Sequence, residues 1–396
     1  MQQFNLSETK TQWVVWTLLC LMPIIGMCID LVAPSLPAIG QSFSVAASVA
    51  KSVISLYLLG FAFGNFLSGF LIDSYGRQKI IRLSLLGFIV ASLMPIYLHS
   101  ITWLLFARIL QGLTIGAVSV TLRSICADVL PPERLTKLGP WFGTMWGIGP
   151  VIGPVIGGYL QVYFGWQAGF YFFAIITLIA FIVVFIVVPE THFNRHPLRI
   201  VSIKNNITEI LKNHVFIGIT ALMGLSYALM ILFNVSGPFL IQTTLHYSPI
   251  FFGHIALYLG VVFVLATFLG RYLLKAHTVE KIWLIAINVS LLVGIIAVIV
   301  SYFFKDSVIL TTLITALMFI SCGVVFPISL GKGLSLFRHI AGTATAVMYL
   351  VNISISSIVA YFAGFVDMTS LVPLAWMYLF LVFVIAILYW TVLRKS

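Results

Sequence analysis

The stretch WVVWTLLCLMPIIGMCIDLVAPSLP, residues 13–37, decides the fold because it is long and apolar enough to cross a bilayer as a helix. It carries one acid, Asp30, among Cys28, Ile29 and Leu31. An ionisable group at membrane depth costs a few kcal/mol, so such groups generally face a water-filled cavity and act on a proton or a substrate. Two simpler interpretations stay open: Asp30 pairs with a nearby cation, or its side chain reaches the membrane interface.

The composition of the whole chain is that of a polytopic membrane protein. Of 396 residues, 61% are hydrophobic and only 8% are charged, which is too little polar surface for a soluble globule of this size. The net charge of +11 could suggest nucleic acid in a soluble protein, but here the cations cluster in alternate connections between apolar runs. We therefore expect no nucleic-acid partner and place both termini in the cytoplasm by the positive-inside rule.

The four cysteines show no spacing typical of a disulfide or a zinc site, and we expect no metal: they are Cys20, Cys28, Cys126 and Cys322.

Twelve apolar runs of spanning length recur along the chain, and the longest polar connection divides them into six and six. This pattern predicts an all-α integral membrane fold of two six-helix bundles, residues 1–190 and 214–396, joined by a cytoplasmic linker at 191–213. Such an arrangement suits a transporter built from repeats, with its site near the midplane. Apolar residues at helical spacing predict a short interfacial helix in the linker: Ile200, Ile203, Ile207, Ile210 and Leu211.

The connection after the second run reads GFLIDSYGRQK, residues 69–79. Its first glycine lets two helices approach, its second permits a tight turn, and its acid and arginine can bond to neighbouring helix ends. The stretch closely resembles the loop signature of the major facilitator superfamily, with Ser74 in place of the usual basic residue. The predicted cytoplasmic gate comprises Gly69, Asp73, Gly76 and Arg77.

The fourth run contains LFARILQG, residues 105–112, and resembles a second signature of that superfamily, whose arginine is tied to proton coupling. A guanidinium group does not deprotonate in proteins, so Arg108 would favour ionised Asp30 if the two approach, while desolvation opposes it. We predict that Asp30 carries the proton and that Arg108 tunes it. The alternative is that Arg108 bonds backbone carbonyls and braces its helix.

The fifth run contains GTMWGIGPVIGPVIGG, residues 143–158. Small residues every three or four positions form a stripe for close helix contact, and two prolines each remove a backbone donor and permit bending. The stripe resembles the superfamily signature of exporters that exchange substrate for protons, which implies a sliding surface. The gating residues predicted here are Gly143, Gly147, Gly149, Pro150, Gly153, Pro154 and Gly157.

A finer resemblance concerns residues 30–37, DLVAPSLP, which are similar to a stretch of the Bcr/CflA branch of twelve-span drug:proton antiporters, with Val32 in place of its tyrosine. Residues 236–239, SGPF, resemble the same branch after the seventh run. The resemblance spans the chain and implies proton-coupled efflux of small amphipathic or cationic compounds, driven by the proton-motive force without a cofactor. It also implies a monomer in the bacterial inner membrane, whose partners are protons, lipid and a small-molecule substrate.

Aromatic, methionine and amide side chains share helix faces in several runs. Such walls suit varied amphipathic ligands because they offer apolar area without demanding one hydrogen-bond geometry. For any single one of them, packing or lipid contact is the competing interpretation. The predicted substrate-binding residues are Tyr57, Phe61, Asn65, Gln111, Met145, Trp146, Tyr227, Met230, Phe233, Asn234, Tyr349 and Asn352.

The sequence also allows other functions. The same pattern fits an exporter or importer of an endogenous metabolite such as a siderophore or an amino acid. A channel is disfavoured by the twelve runs and the central linker. The sequence contains no HExxH, GxSxG or phosphate-loop motif, so we expect neither an intramembrane enzyme nor an ATP-driven pump. His254 is a candidate second titrating group, with a backbone-bonded histidine as the alternative.

Overall fold

The computed structural model describes residues 7–193, 200–337 and 340–394, and in that part of the chain the regular structure is helical with no strand. Before the linker lie α1 (Glu8–Asp30), α2 (Leu36–Ser42), α3 (Ala47–Tyr75), α4 (Arg77–Tyr97), α5 (Ile101–Val129), α6 (Pro132–Phe164) and α7 (Gln167–Val187). The linker contains α8 (Ile200–Lys212). After it come α9 (His214–Pro238), α10 (Pro249–Leu273), α11 (Val279–Phe303), α12 (Val308–Leu336), α13 (Ala341–Gly364) and α14 (Leu371–Leu388).

The number of membrane crossings agrees with the sequence. Within the described residues, 11 segments are long and apolar enough to span, one of them combining α1 with α2. The remaining predicted crossing is α6, a helix of 33 residues whose apolar character is diluted by glycine and proline. The all-α membrane fold is thus confirmed. With an even number of crossings both termini lie at one end of the bundle, here called the terminal end, and the opposite end is called the outer end.

The first apolar run departs from the prediction of one helix over residues 13–36. Helix α1 ends at Asp30, a 3₁₀ turn follows at Ala33–Ser35, and α2 begins at Leu36. The reason is proline chemistry: Pro34 has no N–H to donate to the carbonyl of Asp30, four residues earlier. Asp30 therefore sits at a helix end inside the membrane rather than in the middle of a continuous helix.

Small residues bring helices of the first half into backbone contact. The carbonyl oxygens of Ile109 and Leu113 on α5 occupy the positions where Gly60 and Gly64 of α3 would carry a Cβ. Gly112 on α5 faces the backbone of α3 in the same way. In a membrane, where no hydrophobic effect drives helices together, this close approach is a main source of packing energy.

The linker helix covers part of the second half at the terminal end. Ile210 is fully buried and Ile207 packs beside it, in a cluster with Phe216 and Met348. Leu211, predicted for the same apolar face, is half exposed, and the side chains of Ile200 and Ile203 lie outside the described residues. The linker boundaries 191–213, and the bundle limits 1–190 and 214–396, stay predictions, because residues 194–199 also lie outside the described chain.

Candidate functional site

Asp30 lies where the two halves of the molecule meet. Its side chain is buried, and its Oδ1 accepts a hydrogen bond from Nδ2 of Asn234 on α9, at 2.9 Å. A cavity of about 10 Å³, close to the space of one water molecule, adjoins this pair. Both halves line it, through Asp30, Pro150, Met230, Phe233, Asn234, Ala256, Gly260 and Phe319. The structure thus brings four predicted site residues to the Asp30 carboxyl group: Pro150, Met230, Phe233 and Asn234.

The helix break after Asp30 explains how Arg108 is held. Val32 N–H bonds to the carbonyl of Ile29 in a tight turn, which leaves the carbonyl of Cys28 without its helical partner. The Arg108 guanidinium supplies that partner, with Nη2 3.1 Å from the Cys28 oxygen. A permanent cation at a helix C-terminus stabilises both the orphan carbonyl and the helix dipole.

Arg108 is held by acceptors other than the Asp30 carboxylate. Arg108 is fully buried, and its Nε donates to the carbonyl of Val53 at 3.0 Å while Nη1 donates to Oε1 of Gln111 at 2.8 Å. Between described residues no ion pair joins Arg108 to Asp30. The cause is geometric: backbone and amide acceptors on three helices hold the guanidinium, as the bracing alternative anticipates. Its part in proton coupling stays a prediction.

Three predicted substrate-binding residues, Tyr57, Phe61 and Gln111, belong instead to the surroundings of this arginine. The Tyr57 ring lies 4.3 Å below the Arg108 guanidinium carbon, and Phe61 stacks on Tyr57 at 6.1 Å between ring centroids. Gln111 extends the hydrogen-bond network of Arg108 to Ser92, because its Nε2 donates to Oγ of Ser92 at 2.8 Å. Ser92 was missed from the sequence because a lone serine in an apolar run carries no local signal.

A second group of predicted residues forms an aromatic wall on the terminal side of Asp30. The rings of Trp146 and Tyr227 lie 6.5 Å apart across the two halves, and Phe326 lies 5.5 Å from Tyr227. Met145, next to Trp146, is half-buried against the core. Phe326 has no counterpart in the sequence prediction, since one phenylalanine among 32 gives no signal of its own.

Three further predicted residues lie away from the cavity. Asn65 and Asn352 each donate to a carbonyl of their own helix, at 2.8 and 2.7 Å, and pack at helix crossings next to Gly116 and Gly224. Tyr349 on α13 carries the Arg123 guanidinium 5.3 Å above its ring. The structure places these side chains in helix packing rather than beside Asp30.

The predicted gate loop is tied to its own half. Gly76 adopts a φ of +94°, which an L side chain rarely does, and ends α3. Arg77 forms ion pairs with Asp73, at 3.4 Å, and with Asp128. Glu190 accepts from the backbone N–H groups of Arg77, Gln78, Thr191 and His192. Gly69 faces the other half, since a Cβ there would lie 3.7 Å from that of Ala346.

The small-residue stripe of α6 has two faces with different partners. Gly149, Gly153 and Gly157 pack against α1, and a Cβ on Gly153 would lie 3.4 Å from that of Asp30. The other face meets α10: Gly253 packs against the Pro154 carbonyl oxygen. On this second face Gly147 also faces the other half of the molecule. A Cβ on Gly143 would meet no described heavy atom within 4 Å.

His254 lies on α10 outside this arrangement. It is half-buried, with its ring edge-on to Tyr159 at 6.1 Å. Its role in the cycle stays an open prediction.

A membrane bundle of two helical halves, with a buried acid hydrogen-bonded across their contact and an aromatic wall beside it, has the architecture of a transporter. A comparison with protein families gives the family: residues 18–361 match the model of the Major Facilitator Superfamily. The chain belongs to that family, and it is a transporter and not an enzyme.

Relatives and solved structures agree with this assignment. The chain is 25% identical to an uncharacterized transporter of Rickettsia bellii over 84% of both chains, and 26% identical to a bicyclomycin resistance protein homolog of Haemophilus influenzae over 70% of both. A crystal structure of a bacterial homolog of the human lysosomal transporter Spinster, in an inward-facing and occupied conformation, is similar with a TM-score of 0.78. That likeness covers 98% of each chain at 13% identity, so it concerns the fold alone.

Proposed function

We propose that the chain is a proton-coupled antiporter of the bacterial inner membrane, akin to the Bcr/CflA branch, that exports small amphipathic or cationic compounds by alternating access. The proposal gives Asp30 the role of proton carrier. The bicyclomycin resistance relative supports the drug-like substrate class, and the aromatic wall of Trp146, Tyr227 and Phe326 supports a ligand bound through apolar area.

The observation that carries the proposal is the hydrogen bond between Asn234 and Asp30 across the two halves. A hydrogen bond to a carboxylate contributes about 1.5–3 kcal/mol net, against about 0.5–1.5 kcal/mol for a neutral pair. Protonation of Asp30 would thus weaken this link by about 1 kcal/mol, which is roughly a fivefold change in an equilibrium constant. The protonation state of one carboxyl group would bias the relative position of the halves.

Arg108 acts in this proposal through the end of α1 rather than on the carboxylate itself. By holding the carbonyl of Cys28, two residues before Asp30, it fixes the helix end that presents the acid. Each proton that enters through a potential of 100 mV releases about 2.3 kcal/mol, so one or two protons can sustain a useful substrate gradient.

The test uses purified protein in proteoliposomes with an imposed pH gradient and ethidium as the transported cation. We expect Asp30→Asn to abolish uphill, proton-driven accumulation while leaving downhill exchange of ethidium, because the amide oxygen still accepts from Asn234 but the amide does not take up or release a proton. Asp306→Asn, in an exposed connection, is the matched control and should behave as wild type. Accumulation at the wild-type rate by Asp30→Asn would remove Asp30 from the mechanism.

A second candidate, an exporter or importer of an endogenous metabolite such as an amino acid or a siderophore, is favoured by one contact. Arg123, half-buried over Tyr349, offers a cation that suits a carboxylate. The test measures whether unlabelled amino acids or siderophores inhibit ethidium transport. Inhibition in the wild type that is lost in Arg123→Gln would favour this second candidate.

A further inference from the structure

A groove at the terminal end of the first half is separate from the central site. It has a volume of about 480 Å³ and lies between the starts of α1 and α4 and the end of α7. Its walls are formed by Lys10, Trp13, Val14, Gln78, Phe185, Ile186, Val187, Val188 and Pro189. This volume is within the range that protein pockets offer to small ligands.

The charge around the groove is positive. Lys10 is the ionisable residue on its walls, and among described residues no carboxylate forms an ion pair with it. The two nearest acids in sequence are engaged elsewhere: Glu8 pairs with Arg134 at 3.0 Å, and Glu190 accepts from backbone N–H groups. The groove is therefore suited to an anionic group.

Arg82 adds a second cation behind one wall. Its guanidinium lies 4.2 Å from the Phe185 ring centre, and Nη2 donates to the Phe185 carbonyl at 2.9 Å. Its Nε is buried and has no hydrogen-bond partner in the described chain. A buried guanidinium N–H without a partner costs free energy, and it adds positive potential beside the groove.

Apart from Gln78, the remaining walls are apolar, and three of their side chains face outward on membrane-spanning segments. Trp13, Phe185 and Ile186 are 64%, 55% and 76% exposed. They lie on two segments that are apolar enough to span a membrane. Tryptophan side chains favour the headgroup level of a bilayer, where one end of the ring is apolar and the other is wet.

We propose that this groove binds an anionic phospholipid of the adjacent leaflet, with its phosphate at Lys10 and an acyl chain along Trp13, Phe185 and Ile186. Basic pockets between spanning helices are the usual place for anionic lipid headgroups, and the exposed apolar wall distinguishes a lipid from a free anion. Bound lipid would brace α1 against α7, next to the 2.8 Å hydrogen bond from Gln78 to the Val188 carbonyl, which ties the gate loop to the end of α7.

The experiment measures lipid retention by the full-length protein with native mass spectrometry, after exchange into detergent containing phosphatidylglycerol or phosphatidylcholine. We expect phosphatidylglycerol to be retained preferentially and Lys10→Gln to weaken that retention about fivefold, the effect of one lysine at an anionic surface. Lys10→Gln should leave the retention of phosphatidylcholine unchanged. Lys275→Gln, an exposed lysine at the same end, is the matched control.

The apolar wall is tested separately. Ile186→Ala should lower retention of both lipids, whereas Ile179→Ala, which is also exposed on α7 but lies outside the groove, should leave it unchanged. Equal losses in Lys10→Gln and Lys275→Gln would mean non-specific surface charge and overturn the proposal. Displacement of the lipid by millimolar inorganic phosphate would indicate a free-anion site and overturn it as well.

Discussion

Helices α6 and α10 pack more tightly at the outer end of their contact than at the terminal end. A Cβ on Gly158, near the outer end, would lie 2.6 Å from the carbonyl oxygen of Pro249, and one on Gly260 would lie 3.0 Å from the Cα of Val151. Towards the terminal end, Gly147 would reach Val264 only at 3.8 Å. The two helices therefore diverge from a tight outer contact to an open terminal side, and the halves are closed at the outer end.

The α3–α13 contact shows the same trend in polar terms. At the outer end the fully buried Lys51 donates from Nζ to the carbonyl of Val366 at 2.7 Å, and its Nζ lies 5.2 Å from the Phe239 ring centre. At the terminal end Arg123 stacks on Tyr349 while remaining half exposed. Charged contacts join the halves at both ends, but the outer one is a hydrogen bond shielded from solvent, so it is the stronger.

The largest effect is expected from filling the tight end of α6. Gly158→Ala puts a methyl group against a backbone carbonyl that cannot move alone, and overpacking of this kind costs about 1–3 kcal/mol. We expect the outer contact to open and transport to fall at least tenfold. The distance between spin labels at Gln41 and Thr369, exposed on opposite halves, measures the opening, with Cys20 replaced by serine.

Gly143→Ala is the counterpart at the open end of the same helix, where the methyl group meets no described heavy atom within 4 Å. Alanine should stabilise the helix there by about 0.5–1 kcal/mol, with transport and the label distance unchanged. Equal losses in both variants would mean that the stripe acts along its whole length, and the asymmetry would then have no functional meaning.

The next effect concerns the buried lysine at the outer end. Lys51→Met keeps the length of the side chain but leaves the Val366 carbonyl without its charged donor, a bond of about 1.5–3 kcal/mol. The ratio of outer-open to outer-closed molecules should rise roughly 10- to 100-fold. The distribution of distances between the same two spin labels gives the populations of the two states directly.

Lys305→Met is the control, because Lys305 is exposed in another outer connection. It should leave the populations as in the wild type. If Lys51→Met leaves them unchanged too, the closure of the outer end rests on packing alone.

Most of the fold could be predicted because spanning length and apolarity are local properties of the chain. The break after Asp30 was foreseeable in kind, since Pro34 removes a specific N–H, but its position depends on which carbonyls find other partners. The Cys28 carbonyl is held by Arg108 from a different helix. No local pattern encodes that contact.

The site was harder to predict for the same physical reason. Asp30 stands out in its own run, yet its partner Asn234 lies 204 residues away and resembles any other amide on a helix face. The stripe on α6 shows its spacing in the sequence but not that Gly153 faces α1 while Gly158 faces α10.

The smallest expected effect separates contacts between the halves from contacts within one. Ser357 on α13 donates to the carbonyl of Ser55 across the halves at 2.7 Å, whereas its neighbour Ser356 donates to Gly224 within the second half at 2.9 Å. Hydrogen bonds between membrane helices contribute about 0.6 kcal/mol on average, so each alanine variant should lower stability by a similar small amount. Only Ser357→Ala should also raise the outer-open population, by roughly threefold, in the spin-label measurement. A matching rise in Ser356→Ala would show that the outer end responds to general loosening of α13, and the distinction between the two ends would lose its basis in specific contacts.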